Sequence, residues 1–141
     1  MSTYADTSFL VSLYLTDVHS AEAGRRMAFG PVVWLTPIHV AEWTHAIEQH
    51  VFRRLVSRSE ADRLHKRFQQ HRESGLWVEV ALPESTFDVC AQLARRHGAR
   101  LCLRTLDTLH VASALELKAE RFWTFDERQK KLARAVGLKT A

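Results

Sequence analysis

The stretch RTLDTLHVASALE (residues 104–116) is apolar around most of a helical circumference, so it predicts a buried helix. Thr105 is expected to be the N-cap of this helix, which places Asp107 in its first turn. A buried carboxylate without a partner would be protonated. Asp107 is therefore either a partly exposed acid favoured by the positive end of the helix dipole, or one member of a group of acids.

The length and charge of the chain restrict its class. Its 141 residues match one ordinary domain, predicted to span residues 1–141, and they contain no repeat or low-complexity segment. The 20 lysines and arginines exceed the 16 aspartates and glutamates, which gives a formal net charge of +4. This modest excess is compatible with a nucleic-acid partner without being diagnostic of one.

Neither a membrane segment nor a secretory signal is predicted. The longest uncharged apolar run, residues 27–41, is short and is interrupted by Pro31 and Pro37. Cys90 and Cys102 lie in apolar surroundings outside any C-x-x-C pattern, which predicts two buried free thiols in a reducing cytosol. We therefore expect a cytoplasmic protein.

Short apolar segments alternate with longer amphipathic ones along the chain. Strands are predicted at residues 3–5, 32–35, 77–80 and 121–125, and the tryptophans at 34, 77 and 123 are expected in the core. Trp43 lies on a helix and is expected either in the core or, as the weaker alternative, facing a partner protein. Besides the helix of Asp107, helices are predicted at residues 7–15, 21–29, 37–51 or beyond, 59–74 with Ser59 as N-cap, 83–97 with Gly98 as the stop, and 127–136. This alternation predicts an α/β fold: a three-layer α/β/α sandwich around a central, mostly parallel sheet of four or five strands.

Four acids fall at positions that such a sheet brings to one edge. Asp6 and Asp126 follow the first and fourth strands, Asp107 lies in a first helical turn, and Glu42 lies two turns into the helix after the second strand. Strand ends and the helix starts that follow them share the edge of a parallel sheet where ligands bind. We therefore predict that the four carboxylates face a single crevice.

Each acid also has a purely structural interpretation. Asp6 and Asp126 can be N-caps of the helices they precede, and Glu42 can be a solvated helix residue. That interpretation does not explain why so many acids share one edge, since clustered carboxylates repel and need protons or a cation. Oxygen ligands without cysteine suit Mg²⁺ or Mn²⁺, whereas His45 and His50 are five residues apart and do not share a helix face as zinc ligands would.

Several motifs resemble those of a known family. YADTSFLV (residues 4–11) is similar to the opening strand and helix of PIN-domain ribonucleases, and most of all to the VapC-type toxins of bacterial toxin–antitoxin pairs. AE (41–42), LDTLHVASA (106–114) and FWTFD (122–126) match the family's remaining acidic motifs in the family's order, over essentially the whole chain.

The resemblance implies a metal-dependent endoribonuclease that hydrolyses RNA phosphodiester bonds with a water nucleophile. It implies that Asp6, Glu42, Asp107 and Asp126 hold Mg²⁺ or Mn²⁺, with Thr7, Ser8 and Thr124 as candidates for supporting hydrogen bonds. It also implies a homodimer and a cognate antitoxin that lays a helix or an extended segment across the acidic crevice.

The RNA-contacting residues are predicted from charge near the acidic edge. Arg104, Arg128 and Lys130, with Lys131 beside them, are the candidates. The alternative to a nuclease is a non-catalytic domain of the same fold that binds RNA or a protein partner, in which the acids would be caps and solvated groups.

Overall fold

The computed structural model describes residues 2–141, so that Met1 lies outside the described residues, and it contains a five-stranded sheet. The strands, in the order β3-β2-β1-β4-β5, are β1 (Ser2–Ala5), β2 (Val32–Leu35), β3 (Trp77–Glu79), β4 (Arg121–Trp123) and β5 (Lys139–Thr140). The strand pairs β1–β4, β4–β5 and β2–β3 are all parallel. The predicted α/β fold with a parallel sheet is confirmed.

The helices lie between the strands along the chain. They are α1 (Thr7–Tyr14), α2 (Ser20–Met27), α3 (Pro37–Phe52), α4 (Arg58–Glu73), α5 (Thr86–Leu93), α6 (Ala99–Leu101), α7 (Thr105–Glu116) and α8 (Glu127–Ala135), with a π-helical segment, Ala94–Gly98, joining α5 to α6. None of the helices in residues 2–141 is long and apolar enough to cross a membrane.

The chain divides into two compact units. The first unit contains residues 2–6 and 81–141, and the second contains residues 7–80. The second unit is thus inserted, in sequence, between β1 and the remainder of the first. That residues 1–141 form a single domain stays a prediction.

The first unit is built around the pairing of β1 with β4 and around α7. Tyr4 is level with Phe122 in this pairing, and their rings stack with centroids 5.7 Å apart. The Tyr4 hydroxyl lies 2.7 Å from Nδ1 of His110, a buried residue of α7. Residues 108–114 of α7 are all buried, which confirms the buried helix predicted from the sequence.

The second unit has an aromatic core. Trp43 of α3 is fully buried and stacks on Phe68 of α4 with ring centroids 4.0 Å apart. Tyr14 at the end of α1 contacts the Trp43 ring edge-on, with centroids 5.1 Å apart. Aromatic pairs of this kind stabilise a core beyond the area that they bury.

Outside α7, two residues predicted to cap or stop a helix do not do so. Gly98 does not end a helix: it has a helical backbone with φ −60°, and the helix ends at Cys102, which adopts the left-handed conformation at φ 52°. The N-cap of α4 is Ser57, whose side chain accepts a hydrogen bond from the Glu60 backbone N–H, and Ser59 lies inside the helix. Each helix end is thus displaced by about one turn or less from the residue that its sequence indicated.

Two predictions about burial are also partly wrong. Cys90 is buried as expected, but Cys102 is exposed because it occupies the end of a helix. In β2, Val33 and Leu35 are buried whereas Val32 is exposed and Trp34 is half-buried, so one face of this strand is less covered than its composition indicated. The other three tryptophans are in the core.

A hydrogen-bonded trio in the second unit requires a neutral histidine. The Trp77 indole N–H donates to the Tyr14 hydroxyl at 2.8 Å, so the hydroxyl proton is directed to Nδ1 of His71 at 2.6 Å. Burial, with a smaller effect of the Arg67 charge, lowers the pKa of His71 below its ordinary 6.5. Burial likewise raises the pKa of Tyr14 to about 12, so its proton stays in place.

We expect acid to destabilise the protein through His71. The folded-state pKa of His71 lies below the unfolded value. The contribution of neutral His71 to the free energy of unfolding is therefore complete above about pH 6.5 and is lost as the pH falls towards the folded pKa. Urea denaturation between pH 8 and pH 5 should show this loss in the native chain and a smaller one in His71→Gln. The exposed His45→Gln is the control, and equal slopes in all three chains would contradict the assignment.

Candidate active site

Asp6 is held at the end of β1 by its parallel neighbour. Ala5 is level with Trp123, and the Asp6 backbone N–H donates to the Trp123 carbonyl at 3.0 Å. Thr124, which directly follows β4, donates its hydroxyl proton to Asp6 Oδ2 at 2.7 Å. Asp6 is only 5% exposed, so its carboxylate is fixed and largely removed from water.

Asp126 begins the helix that follows β4. It is the N-cap of α8, and its Oδ1 accepts a hydrogen bond from the Gln129 backbone N–H at 2.8 Å. Its own backbone N–H donates to the Thr124 hydroxyl at 3.0 Å. Thr124 therefore connects Asp6 to Asp126, and the sequence-based N-cap interpretation of Asp126 is confirmed.

Asp107 lies in the first turn of α7, as predicted, but the cap was assigned one residue too late. Arg104 occupies the N-cap position without a side-chain cap, and Thr105 is the first helical residue. Asp107 Oδ2 lies 3.6 Å from Nε of Arg104, and the Asp107 side chain is 28% exposed. The acid is thus at an open helix start, where the partial positive charge of the helix favours it.

Gln129 joins Asp107 to Asp126. Its side-chain Nε2 donates to the Asp107 carbonyl at 3.1 Å, while its backbone N–H donates to Asp126 Oδ1. A continuous chain of hydrogen bonds therefore runs from Asp6 through Thr124, Asp126 and Gln129 to Asp107. The chain of hydrogen bonds lies within the first unit and reaches Asp107 at its backbone carbonyl. That the three carboxylates face one crevice therefore stays a prediction.

Sequence reasoning missed Gln129, although a signal was present. Gln129 lies three residues after an N-cap aspartate and shares a helix face with Leu132 and Ala133, both fully buried. A polar residue on an otherwise apolar helix face needs a partner. That partner, a backbone carbonyl 22 residues earlier in the chain, cannot be read from local sequence.

Glu42 belongs to the second unit, in α3. Thr7, the first residue of α1, donates its hydroxyl proton to Glu42 Oε1 at 2.7 Å. Thr7 is buried and Glu42 is partly buried, so this pair is held by the unit's own packing. Ser8, the other predicted supporting residue of α1, is exposed.

The three basic candidates for RNA contact differ in availability. The Arg104 side chain is 87% exposed beside Asp107. Arg128 is exposed and its guanidinium lies 3.4 Å from the Cys102 carbonyl. The Lys130 side chain is only 16% exposed and pairs with Glu127 at 3.3 Å, which leaves it the least available to a polyanion.

The donor chemistry of the site fits a hard divalent cation. Asp6, Asp107 and Asp126 offer carboxylate oxygens without sulfur ligands, as Mg²⁺ and Mn²⁺ prefer. The amide oxygen of fully buried Gln129, whose Nε2 bonds the Asp107 carbonyl, lacks a hydrogen-bond partner. Within residues 2–141, however, no three His, Cys, Asp or Glu side chains are already gathered as ligands of one ion.

A family comparison identifies this architecture. The model of the PIN domain matches residues 3–135. The chain belongs to the PIN domain family. Compared with curated proteins, the sequence of this PIN domain has no significant match.

Solved structures share the fold of this PIN domain at low sequence identity. FitAcB from Neisseria gonorrhoeae is 18% identical with a TM-score of 0.73, over 98% of this chain and 95% of that one. VapC20 from Mycobacterium tuberculosis, a toxin that cleaves the sarcin–ricin loop, is 19% identical with a TM-score of 0.72, over 96% and 95%. VapBC2 from Rickettsia felis, bound to a DNA fragment from its promoter, is 12% identical with a TM-score of 0.70, over 100% and 98%.

Proposed function

We propose that this PIN domain is a metal-dependent endoribonuclease that acts as the toxin of a toxin–antitoxin pair. The observation that supports it is the hydrogen-bonded chain from Asp6 through Thr124 and Asp126 to Asp107. A domain that only binds RNA has no use for three acidic residues held on one connected set of hydrogen bonds, because their negative charges weaken the attraction for phosphates.

In this proposal Asp6, Glu42, Asp107 and Asp126 hold Mg²⁺ or Mn²⁺. The cation, when bound, supplies water activation and neutralisation of the charge on the phosphodiester. Thr124 and Thr7 hold the Asp6 and Glu42 carboxylates through the hydrogen bonds of 2.7 Å, which limits the rotamers that each acid can adopt. Ser8 remains a candidate support for the same acids.

RNA is the proposed substrate, held at the rim by basic residues. Arg104 is the best placed because its exposed guanidinium lies beside Asp107 and can meet a phosphate as it approaches the acids. Arg128 is the second candidate. Lys130, which pairs with Glu127, is kept as a weaker one.

The regulatory part of the proposal comes from proteins of the same fold. Several solved structures with this fold are toxins or toxin–antitoxin complexes, so we infer a cognate antitoxin, a homodimer and a cytoplasmic location for this chain. An antitoxin that covers the acidic crevice would hold the nuclease inactive.

The test is cleavage of RNA by the purified protein, freed of any antitoxin. We expect cleavage in millimolar Mg²⁺ or Mn²⁺, none in EDTA, and recovery when the metal is restored. Millimolar Mn²⁺ should also raise the melting temperature, because an ion that binds only the folded state stabilises it by mass action. Retention of RNA without cleavage, together with an unmoved melting temperature, would favour the non-catalytic alternative.

A further inference from the structure

Gln129 is polar, completely buried and placed where an apolar residue would pack as well. It shares its helix face with fully buried Leu132 and Ala133, and it is 0% exposed. Its Oε1 has no hydrogen-bond partner. A buried carbonyl oxygen without a donor is costly, so folding alone does not account for an amide at this position.

The hydrogen bonds of Gln129 indicate its role. Only the NH₂ group can donate to the Asp107 carbonyl, so the amide orientation is fixed with Nε2 at 3.1 Å from that oxygen. The backbone N–H of the same residue donates to Asp126 Oδ1 at 2.8 Å. The Gln129 side chain therefore ties the first turn of α8 to the first turn of α7, while the Asp126 contact is made by a backbone N–H that Gln129→Met would keep.

We propose that Gln129 is a positioning residue that fixes Asp107 relative to Asp126 and so sets the affinity of the acidic site for Mg²⁺ or Mn²⁺. This inference rests on the proposed function, since it assumes that the two acids share a cation. Residues that hold metal ligands through hydrogen bonds commonly change metal affinity by one to two orders of magnitude.

The variant that tests the proposal is Gln129→Met, which keeps the length of the side chain and removes both polar groups. We expect Mn²⁺ affinity, measured by the metal-dependent melting temperature, to fall by roughly tenfold or more. The metal-free melting temperature should change little, because a lost hydrogen bond is offset by removal of the unpartnered oxygen. Leu132→Met, a buried change one turn along α8, is the packing control and should bind Mn²⁺ as the native chain does.

The outcomes separate the two proposals. Native protein that does not bind Mn²⁺ overturns the cation site and this inference together. Native protein that binds, with Gln129→Met binding equally well, overturns the role of Gln129 alone. Loss of affinity in both Gln129→Met and Leu132→Met would assign the effect to packing and would also overturn it.

A measurement on the native chain tests the role of Gln129 even where Gln129→Met does not fold. In ¹⁵N-labelled protein titrated with Mg²⁺, the side-chain NH₂ signals of Gln129 should shift at the concentration that saturates the site. The exposed Gln70 provides the reference signals, which should stay in place. Gln129 signals that do not move while the backbone signals of Asp107 and Asp126 do would overturn the proposal.

Discussion

Asp107→Asn should reduce RNA cleavage by at least about a hundredfold while leaving the protein folded. Loss of one group that stabilises developing charge costs this much in other enzymes, and the loss of a charged metal ligand should cost no less. Asparagine has the same shape and can retain a neutral oxygen, but it contributes no charge to a cation. The measurement is the initial rate of RNA cleavage at saturating Mg²⁺, beside the metal-free melting temperature.

The fold should tolerate this change because Asp107 contributes little to stability through its ion pair. Its partner Arg104 is 87% exposed and 3.6 Å away, and exposed pairs of this kind are worth about 0–1 kcal/mol. Asp88 provides a matched control, as an exposed aspartate in the first turn of α5 in the same unit. Asp88→Asn should cleave like the native chain, and equal cleavage by Asp107→Asn would point to a contaminating nuclease.

Trp43→Ala should remove about 3–5 kcal/mol from the free energy of unfolding, the usual cost of truncating a buried tryptophan. Trp43 is fully buried, stacks on Phe68 and meets the rings of Tyr14 and His65. A loss of this size is a large share of the 5–15 kcal/mol typical of a folded protein. Urea denaturation followed by circular dichroism measures it.

Trp34→Ala is the comparison for that prediction. Trp34 is a half-buried residue of β2 in the same unit, so its truncation removes the same atoms from a site with fewer neighbours. We expect its cost to be clearly smaller. Equal losses for Trp34 and Trp43 would show that the aromatic core of this unit is not the main source of its stability.

The features that sequence predicted well are those that depend on local pattern. The strand end at Asp6 follows from a short apolar run that stops at an acid, and the first-turn position of Asp107 follows from the start of an apolar helix. The fourth strand, predicted to run to residue 125, ends at Trp123. A parallel sheet then places the ends of its strands at one edge without further information. This is why Asp6, Asp107 and Asp126 were expected together; that their carboxylates meet stays a prediction, since the hydrogen bonds reach Asp107 only at its backbone carbonyl.

The features that were missed depend on contacts between distant residues or on backbone conformation. The role of Gln129 depends on a carbonyl in α7, and that of Thr124 as a bridge requires both Asp6 and Asp126 in place. Gly98 has the composition of a helix stop, yet the left-handed residue that ends the helix is Cys102. A cysteine carries no sequence signal for that conformation, so its exposure could not be anticipated either.

The pairing of Asp6 with Thr124 has a consequence for synthesis of the protein. These residues are 118 positions apart, and chains elongate at about 5–20 residues per second, so Asp6 is made roughly 6–24 seconds before its partner. Until β4 emerges from the ribosome, β1 lacks its parallel neighbour on that side, and the Asp6 carboxylate is not held by Thr124. The growing chain therefore carries an unfixed Asp6 carboxylate for as long as β4 has not yet been made and released from the ribosome.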